Sequence, residues 1–222
     1  MVRIAVVFFL CLSLFTQVWG QDDFQLGITA GPQISWPVAP ERGLERTGSY
    51  LGYYYGVQLD LFIADNYSFC TGLFLSQVGG KVEFADSVRF GSTDIAYSGG
   101  TELFIRNQYL EVPFTVRLLS NQVGELRYFA QFGVQGGVRI RSRGDLSSTA
   151  FSESKLNFSK DVSLFNMGLV IGGGIEHELP GVTSAQVGLQ FSNGFVNVLS
   201  LPEDFKQKAR QNFLRLLLVI NF

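Results

Sequence analysis

The sequence predicts an all-β protein, an eight-stranded antiparallel up-and-down transmembrane β-barrel with short periplasmic turns and long extracellular loops. First, stretches of about ten residues that alternate apolar and polar side chains recur along the chain, separated by turns. Second, charged residues make up only 16% of the sequence, against roughly 25% in soluble domains. Third, the chain ends on the apolar run NFLRLLLVINF, which requires a covered rather than a frayed terminus.

Residues 1–20 have the pattern of a secretory signal peptide. Arg3 precedes an apolar stretch from Ile4 to Phe15, and Val18 and Gly20 occupy the positions before a cleavage site at Gln21. An uncleaved anchor helix is the alternative, although the apolar stretch is short for a membrane span. We expect residues 21–222 to form one outer-membrane β-barrel domain.

The first three strands follow directly. FQLGITAGPQISW alternates apolar residues, from Phe24 to Trp36, with Gln, Gly, Thr and Ser. YLGYYYGVQLDLFI sets an apolar face from Tyr53 to Ile63 against Tyr, Gly, Gln and Asp. YSFCTGLFLSQV does the same, with Phe74 as an exception on the otherwise small and polar face.

The next two strands carry most of the charge. LFIRNQYLEVPFTVRLL is the clearest, because its apolar file from Leu110 to Leu118 faces away from Glu111 and Arg117. LRYFAQFGVQGGVRIR places Tyr128 to Ile140 opposite glutamines and arginines.

The last three strands complete the barrel. LFNMGLVIGGGIEHEL has an apolar file opposite Asn166 and several glycines, which make room for large lumen side chains. TSAQVGLQFS alternates cleanly, and NFLRLLLVINF places Leu214 to Phe222 on one face. The final strand must pair with the first, so that no backbone edge meets hydrocarbon.

The connections alternate in length. Those after the second, fourth and sixth strands are short (ADN, SNQVGE and PGV). The others are long and polar, for example PVAPERGLERTGS and RSRGDLSSTAFSESKLNFSKD. We expect the short turns in the periplasm, the long loops outside the cell and both termini in the periplasm.

Alternation alone also fits a soluble lipocalin-like barrel with its apolar face inward. The polar face weighs against it, because it carries small residues, amides and a few ions in place of the many Lys and Glu residues of a soluble surface. We predict that these ions form a lumen polar network that plugs the barrel, with a narrow selective pore as the alternative. The predicted network is Asp60, Glu111, Arg117, Arg127, Arg139, Arg141 and Arg215.

Aromatic residues on the apolar face cluster towards the strand ends, as expected for anchors at the two membrane interfaces. The predicted interface aromatics are Phe24, Trp36, Tyr53, Tyr55, Phe69, Phe104, Tyr128, Phe165 and Phe191. The terminal residues Leu218, Ile220 and Phe222 resemble the aromatic signal by which such barrels are recognised for assembly.

Several stretches resemble the PorT-like outer-membrane barrels of Bacteroidetes. They are FQLGITAGPQIS, YYYGVQLDLFIADNYSFCTGLFLSQVGGKV, NQYLEVPFTVRL with its Tyr109–Pro113 motif, and LRLLLVINF. The resemblance covers nearly the whole mature chain. It implies an accessory role in the envelope, similar to a component of type IX secretion, and no catalytic residues.

The residue inventory argues against an enzyme. His177, the single histidine, falls at a strand end as a rim residue, and Cys70 is a small lumen residue. No cofactor or metal is expected, and a net charge of −2 gives no footprint for nucleic acid. We expect a monomer whose partners are outer-membrane lipid, the barrel-assembly machinery, and either other envelope proteins or an extracellular ligand bound by the long loops.

Overall fold

The computed structural model describes residues 24–39, 43–90, 95–148, 152–179, 184–200 and 208–222. The predicted signal peptide and the PGV turn lie outside the described residues. Within the described part of the chain, no helix is long and apolar enough to cross a membrane.

Eleven strands make up the described structure. They are β1 (Phe24–Val38), β2 (Leu44–Ala64), β3 (Tyr67–Phe84), β4 (Val88–Arg89), β5 (Ala96–Tyr97), β6 (Thr101–Leu119), β7 (Leu126–Ser147), β8 (Ser152–Asn157), β9 (Phe165–Glu178), β10 (Ser184–Gly194) and β11 (Arg210–Asn221).

Eight of these strands form a closed antiparallel ring in the order β1, β2, β3, β6, β7, β9, β10, β11. The ring closes where β11 pairs with β1, from Gly27 opposite Asn221 to Val38 opposite Arg210. The predicted eight-stranded barrel is therefore confirmed, and so is the pairing of the last strand with the first. The short strands β4, β5 and β8 lie outside the ring.

The two faces of the ring follow the predicted alternation. Ile28, Leu189 and Ile171 are more than half exposed on the outside, while Thr29, Gln190 and Glu111 on the inside are almost fully buried. An apolar exterior around a polar interior is the arrangement of a membrane barrel and the reverse of a lipocalin. Phe74, the exception in the third strand, does point inward, where its ring lies edge-on to Tyr54 at 6.1 Å.

The periplasmic turns are short, as predicted. Asp65 and Asn66 join β2 to β3, and the Asn66 side chain donates a hydrogen bond to the Leu119 carbonyl (2.8 Å) across the neighbouring turn. Residues 120–125 join β6 to β7.

The predicted long loops differ from expectation, because much of their sequence is strand. Only residues 39–43 separate β1 from β2, and residues 44–49 of the predicted loop continue β2 against the end of β3. Likewise β7 runs through RSRGDLS to Ser147, where β8 pairs with it. Leu44 and Leu146 explain the extension, because both are buried in one apolar cluster that holds these strand ends together.

Residues 44–49 of β2, 80–84 of β3, 101–107 of β6 and 141–147 of β7 project beyond the barrel. We call these strand ends, with β4, β5 and β8, the extension. In the extension the alternation is inverted: Val82, Leu103 and Leu146 point inward, and Lys81, Arg106 and Arg143 lie on the outside. The same strands therefore present apolar side chains outward in the barrel and charged side chains outward in the extension. This is the pattern expected where the surroundings change from lipid to water.

The lipid-facing assignment predicts the effect of a charge on the outer surface. Leu189→Arg places a cation midway along β10 on the exposed apolar face, so we expect it to lower the free energy of unfolding in phospholipid vesicles by about 2–4 kcal/mol. Urea titration followed by the fluorescence of Trp36 measures this change. Asn193→Arg, on the same face at the strand end, is the control and should cost at most about 1 kcal/mol. Equal effects of the two changes would contradict the lipid-facing assignment.

Candidate functional site

The lumen contains two buried ion pairs. The lower pair, which is nearer the periplasmic turns, joins Asp60 on β2 to Arg117 on β6. Arg117 Nη1 lies 2.8 Å from Asp60 Oδ2, and both side chains are almost fully buried. Gln58 also donates to that carboxylate oxygen (2.8 Å). Two charges in so dry a site are tolerated because each has its counterion and further hydrogen bonds.

Glutamines from two further strands complete the lower pair. Arg117 donates to Gln186 Oε1 (3.0 Å) and to Gln131 Oε1 (3.1 Å), and Gln131 in turn donates to Gln190 (3.1 Å). The guanidinium also lies over the Phe129 ring, 4.9 Å from its centroid. One arginine thus connects β2, β6, β7 and β10 across the barrel.

The upper ion pair joins Glu111 on β6 to Arg215 on β11, with Arg215 Nη2 2.9 Å from Glu111 Oε2. Arg215 is fully buried. Its guanidinium lies between two rings, 4.4 Å from the centroid of Tyr54 and 4.3 Å from that of Phe213. The rings cover an ion that has few hydrogen-bond partners of its own, since Nε and Nη1 are without one among the described residues.

Little space remains between the two pairs. A cavity lined by Tyr54, Cys70, Phe74, Gln131 and their neighbours has a volume of about 10 Å³. That is room for about one water molecule. The middle of the lumen is therefore filled by side chains.

The other three arginines of the predicted network lie apart from these pairs. Arg139 donates to the Val162 carbonyl (2.8 Å) and so ties the β8–β9 connection to the top of the barrel. Arg127 donates to the Asp65 carbonyl (2.7 Å) at the periplasmic mouth.

The prediction that Arg141 belongs to the lumen network is wrong, because its side chain is exposed on the outer surface. The pairing of β6 with β7 shifts register here: Gln108 is opposite Arg141, while its neighbour Tyr109 is opposite Arg139. The extra residue, Ile140, is a β-bulge that reverses which face later side chains take. Ser142 therefore points inward and donates to Asn107 Oδ1 (2.7 Å).

Sequence reasoning missed several members of the lumen network. Glu176 is buried near the periplasmic end, where Ser184 donates to its carboxylate. The alternation of β10 predicts its glutamines only as polar strand residues. The glycines of β9, together with Gly188 of β10, do make room for a large lumen side chain, which is Phe129. A Cβ at Gly174 or Gly188 would lie 3.0 Å or less from the Phe129 ring.

The extension closes the outer end of the lumen with an apolar core. Its fully buried aromatic members are Phe84, Phe90 and Phe158, whose rings meet edge-on at 5.6 and 5.1 Å around Phe90. Val198 and Leu199 reach this core from the β10–β11 connection. The extension is thus packed like a small soluble domain rather than a set of open loops.

The outside of the extension is charged, and four of its ions form two pairs at the surface. Lys81 lies 2.9 Å from Glu102, and Arg106 lies 2.6 Å from Asp145. The hydrogen bond from Lys81 lowers the pKa of Glu102, which projects beyond the apolar band. Such exposed pairs contribute little to stability.

The predicted interface aromatics fall near the two ends of the apolar band, with one exception. Trp36 stacks on Phe191 at 6.2 Å near the outer end, and Phe69 contacts Phe114 at 6.3 Å near the inner end. The other outward-facing members are Phe24, Tyr53, Tyr55, Tyr128 and Phe165. Phe104 lies above the band instead, in the extension, where Arg106 and Lys81 lie over its ring.

Among the residues that the structure describes, the two candidate catalytic side chains, His177 and Cys70, lie apart. His177 is at the periplasmic rim, where its Nδ1 is 3.2 Å from the Glu125 carbonyl, and Cys70 is buried in the lumen as a free thiol. Among the described residues, no group of His, Cys, Asp and Glu could hold a metal ion. Leu218, Ile220 and Phe222 lie on the outer surface of β11 and at its end.

A closed ring of eight antiparallel strands with an apolar exterior defines an outer-membrane β-barrel. The sequence matches the family described as "Outer membrane protein beta-barrel domain" over residues 17–209, and the chain belongs to that family. It is an outer-membrane protein. No curated protein matches the sequence.

Several solved structures are similar in fold to this chain. They include Neisserial surface protein A, at 8% identity and a TM-score of 0.47, covering 88% of this chain and 95% of the other. OprG from Pseudomonas aeruginosa has 11% identity, a TM-score of 0.42, and coverage of 91% and 97%. The attachment invasion locus protein Ail of Yersinia pestis, in a complex with the heparin analogue sucrose octasulfate, has 11% identity, a TM-score of 0.40, and coverage of 90% and 99%.

The upper ion pair predicts a strong dependence of stability on its two partners. Arg215→Met leaves the buried Glu111 carboxylate without a counterion, and we expect it to lower the free energy of unfolding by about 3–5 kcal/mol. The double change Arg215→Met with Glu111→Gln should recover most of that loss, because no unpaired charge remains. Urea unfolding in vesicles measures both values.

Lys81→Met is the matched control for this experiment, since it removes one partner of an exposed pair and should cost less than about 1 kcal/mol. If the double variant were as unstable as Arg215→Met alone, the account of Glu111 as an uncompensated charge would be wrong.

Proposed function

We propose that this protein is a sealed, non-enzymatic barrel that serves as an anchor in the outer membrane and presents the extension to a binding partner outside the cell. The observation that carries the proposal is the extension itself. Four ring strands continue past the apolar band, and an apolar core fixes them in place. A rigid scaffold that positions surface residues is the usual basis of a binding surface.

The filled lumen favours anchoring over transport. Two ion pairs, the glutamines and the apolar core of the extension lie along the axis of the barrel. An eight-stranded barrel has an interior just wide enough to be filled by side chains. The alternative of a narrow selective pore would need a continuous water path, for which the cavity of about 10 Å³ between the pairs leaves little room.

A sealed lumen predicts the absence of steady conductance. The mature protein inserted into planar bilayers should pass no current above the leak of the lipid alone. As a positive control, the double variant Asp60→Ala with Arg117→Ala removes the lower pair and should increase any residual current. A steady conductance of the unaltered protein would contradict the proposal.

The surface-binding role predicts that the extension is needed for adhesion. A variant in which a short Gly-Ser turn replaces residues 148–157, with Phe158 retained for the apolar core, should assemble normally and show the usual mobility difference between boiled and unboiled samples. Cells that produce it should lose at least about tenfold in adhesion to host-cell layers or to each other, because the partner's contact area is removed. The control replaces Ser120 and Asn121 in a periplasmic turn and should leave adhesion unchanged.

The second candidate is an accessory role in a secretion machine, which the PorT-like motif Tyr109–Pro113 favours. It predicts an export defect on deletion of the gene and co-purification with other envelope proteins. If the barrel with the shortened extension rescued such a defect, and adhesion were unaffected, the secretion role would replace surface binding. In either case we infer that residues 1–20 direct export, that Leu218, Ile220 and Phe222 engage the assembly machinery, and that the barrel acts as a monomer.

A further inference from the structure

A basic groove lies on the outer surface of the extension at the edge of the apolar band. Arg106 and Gln108 of β6, Arg141 and Arg143 of β7, and Gln77 with Tyr53 on the neighbouring strands line it. Its volume is about 310 Å³. The groove lies on the extension, but the inference drawn from it concerns contact with the membrane and does not rest on the proposed binding of a partner outside the cell.

The strand pairing places the groove at the boundary between lipid and water. Gln77, Gln108 and Arg141 are directly opposite one another and form a polar row across β3, β6 and β7. The next outward-facing row below contains Leu75, Leu110 and Val138. On this face the change from apolar to polar occurs between two adjacent rows.

The groove carries an excess of positive charge. Arg106 is neutralised by Asp145, whose second carboxylate oxygen accepts a hydrogen bond from the Lys155 backbone amide (2.7 Å). Arg141 and Arg143 are both exposed, and among the described residues neither forms an ion pair with a carboxylate. These two charges therefore remain available to bind a ligand.

The position of Arg141 in the groove depends on the β-bulge at Ile140. Without the extra residue Arg141 would point into the lumen, as its sequence alternation predicts. The bulge turns it outward beside Arg143, two residues along the same strand. Bulges commonly re-aim a side chain in this way at functional surfaces.

We propose that this groove binds a phosphate group on the headgroup of an outer-leaflet lipid. Guanidinium groups match phosphate oxygens with paired hydrogen bonds, and the amides of Gln77 and Gln108 supply further donors for phosphate or sugar oxygens. The acyl chains of the same lipid lie against Leu75, Leu110 and Val138 directly below. This continuity with the lipid-covered surface identifies the source as a membrane lipid rather than a free anion.

Native mass spectrometry of the full mature protein in detergent tests the proposal. The probe is lipid A carrying both phosphates, and its dephosphorylated form with the same acyl chains is the comparison. We expect the phosphorylated lipid to bind at least about tenfold more tightly, because two charge-assisted contacts are lost with the phosphates. Inorganic phosphate alone should bind far more weakly than the lipid.

Arg141→Gln with Arg143→Gln should reduce the affinity for phosphorylated lipid A by about tenfold or more and leave the dephosphorylated lipid unaffected. Arg46→Gln with Lys160→Gln removes the same charge from exposed positions outside the groove and should keep full binding. Higher salt should weaken binding to the unaltered protein.

Three results would overturn the proposal. Equal binding of the two lipids would show that the phosphate is not recognised. Equal losses of affinity in the two double variants would show that binding depends on the overall charge of the protein and not on the groove. Tight binding of inorganic phosphate would assign the groove to a free anion instead of a lipid.

Discussion

The structure depends on one constraint: in hydrocarbon every backbone N–H and C=O must find its partner within the protein. A sheet meets that requirement only when it closes, and here closure is the pairing of β11 with β1 along nearly the full length of both strands. The other features follow from the closed ring. Its outside must be apolar because it faces lipid. Its inside has room only for side chains, because eight strands enclose a narrow lumen.

With eight strands the inside is narrow, and this explains how charges are used. Asp60, Arg117, Glu111 and Arg215 would each be costly alone, so they occur as two pairs with aromatic rings and amides around them. Because each pair bridges strands that are not neighbours in the ring, the pairs also fix the shape of its cross-section. The lumen network is therefore part of the scaffold that holds the extension in position.

Much of the barrel could be predicted from the sequence because alternation and strand length are local properties. The eight strands, the inward direction of Glu111 and Arg215 and the short turns follow from it. The outward direction of Arg141 could not be predicted. A bulge of one residue reverses which face of β7 the later side chains take, and the sequence composition does not reveal it. The many polar residues of the extension predict loops from composition alone, although KVEF and TELFIRN alternate in the opposite sense to the barrel below. The pairing of particular ions is a long-range property that one sequence does not contain.

The inverted alternation of the extension also bears on how the protein reaches its final state and how long it stays there. Lys81, Glu83, Arg106 and Asp145 lie on the far side of the bilayer from the compartment in which we expect the chain to arrive. Each must pass the apolar layer once, and each would have to pass it again for the barrel to come out. Moving a charged residue through the bilayer centre costs on the order of 3 kcal/mol on insertion scales. The activation free energy of extraction therefore rises with the number of these charges. How long the protein stays in the membrane depends on the rate of extraction as well as on the equilibrium.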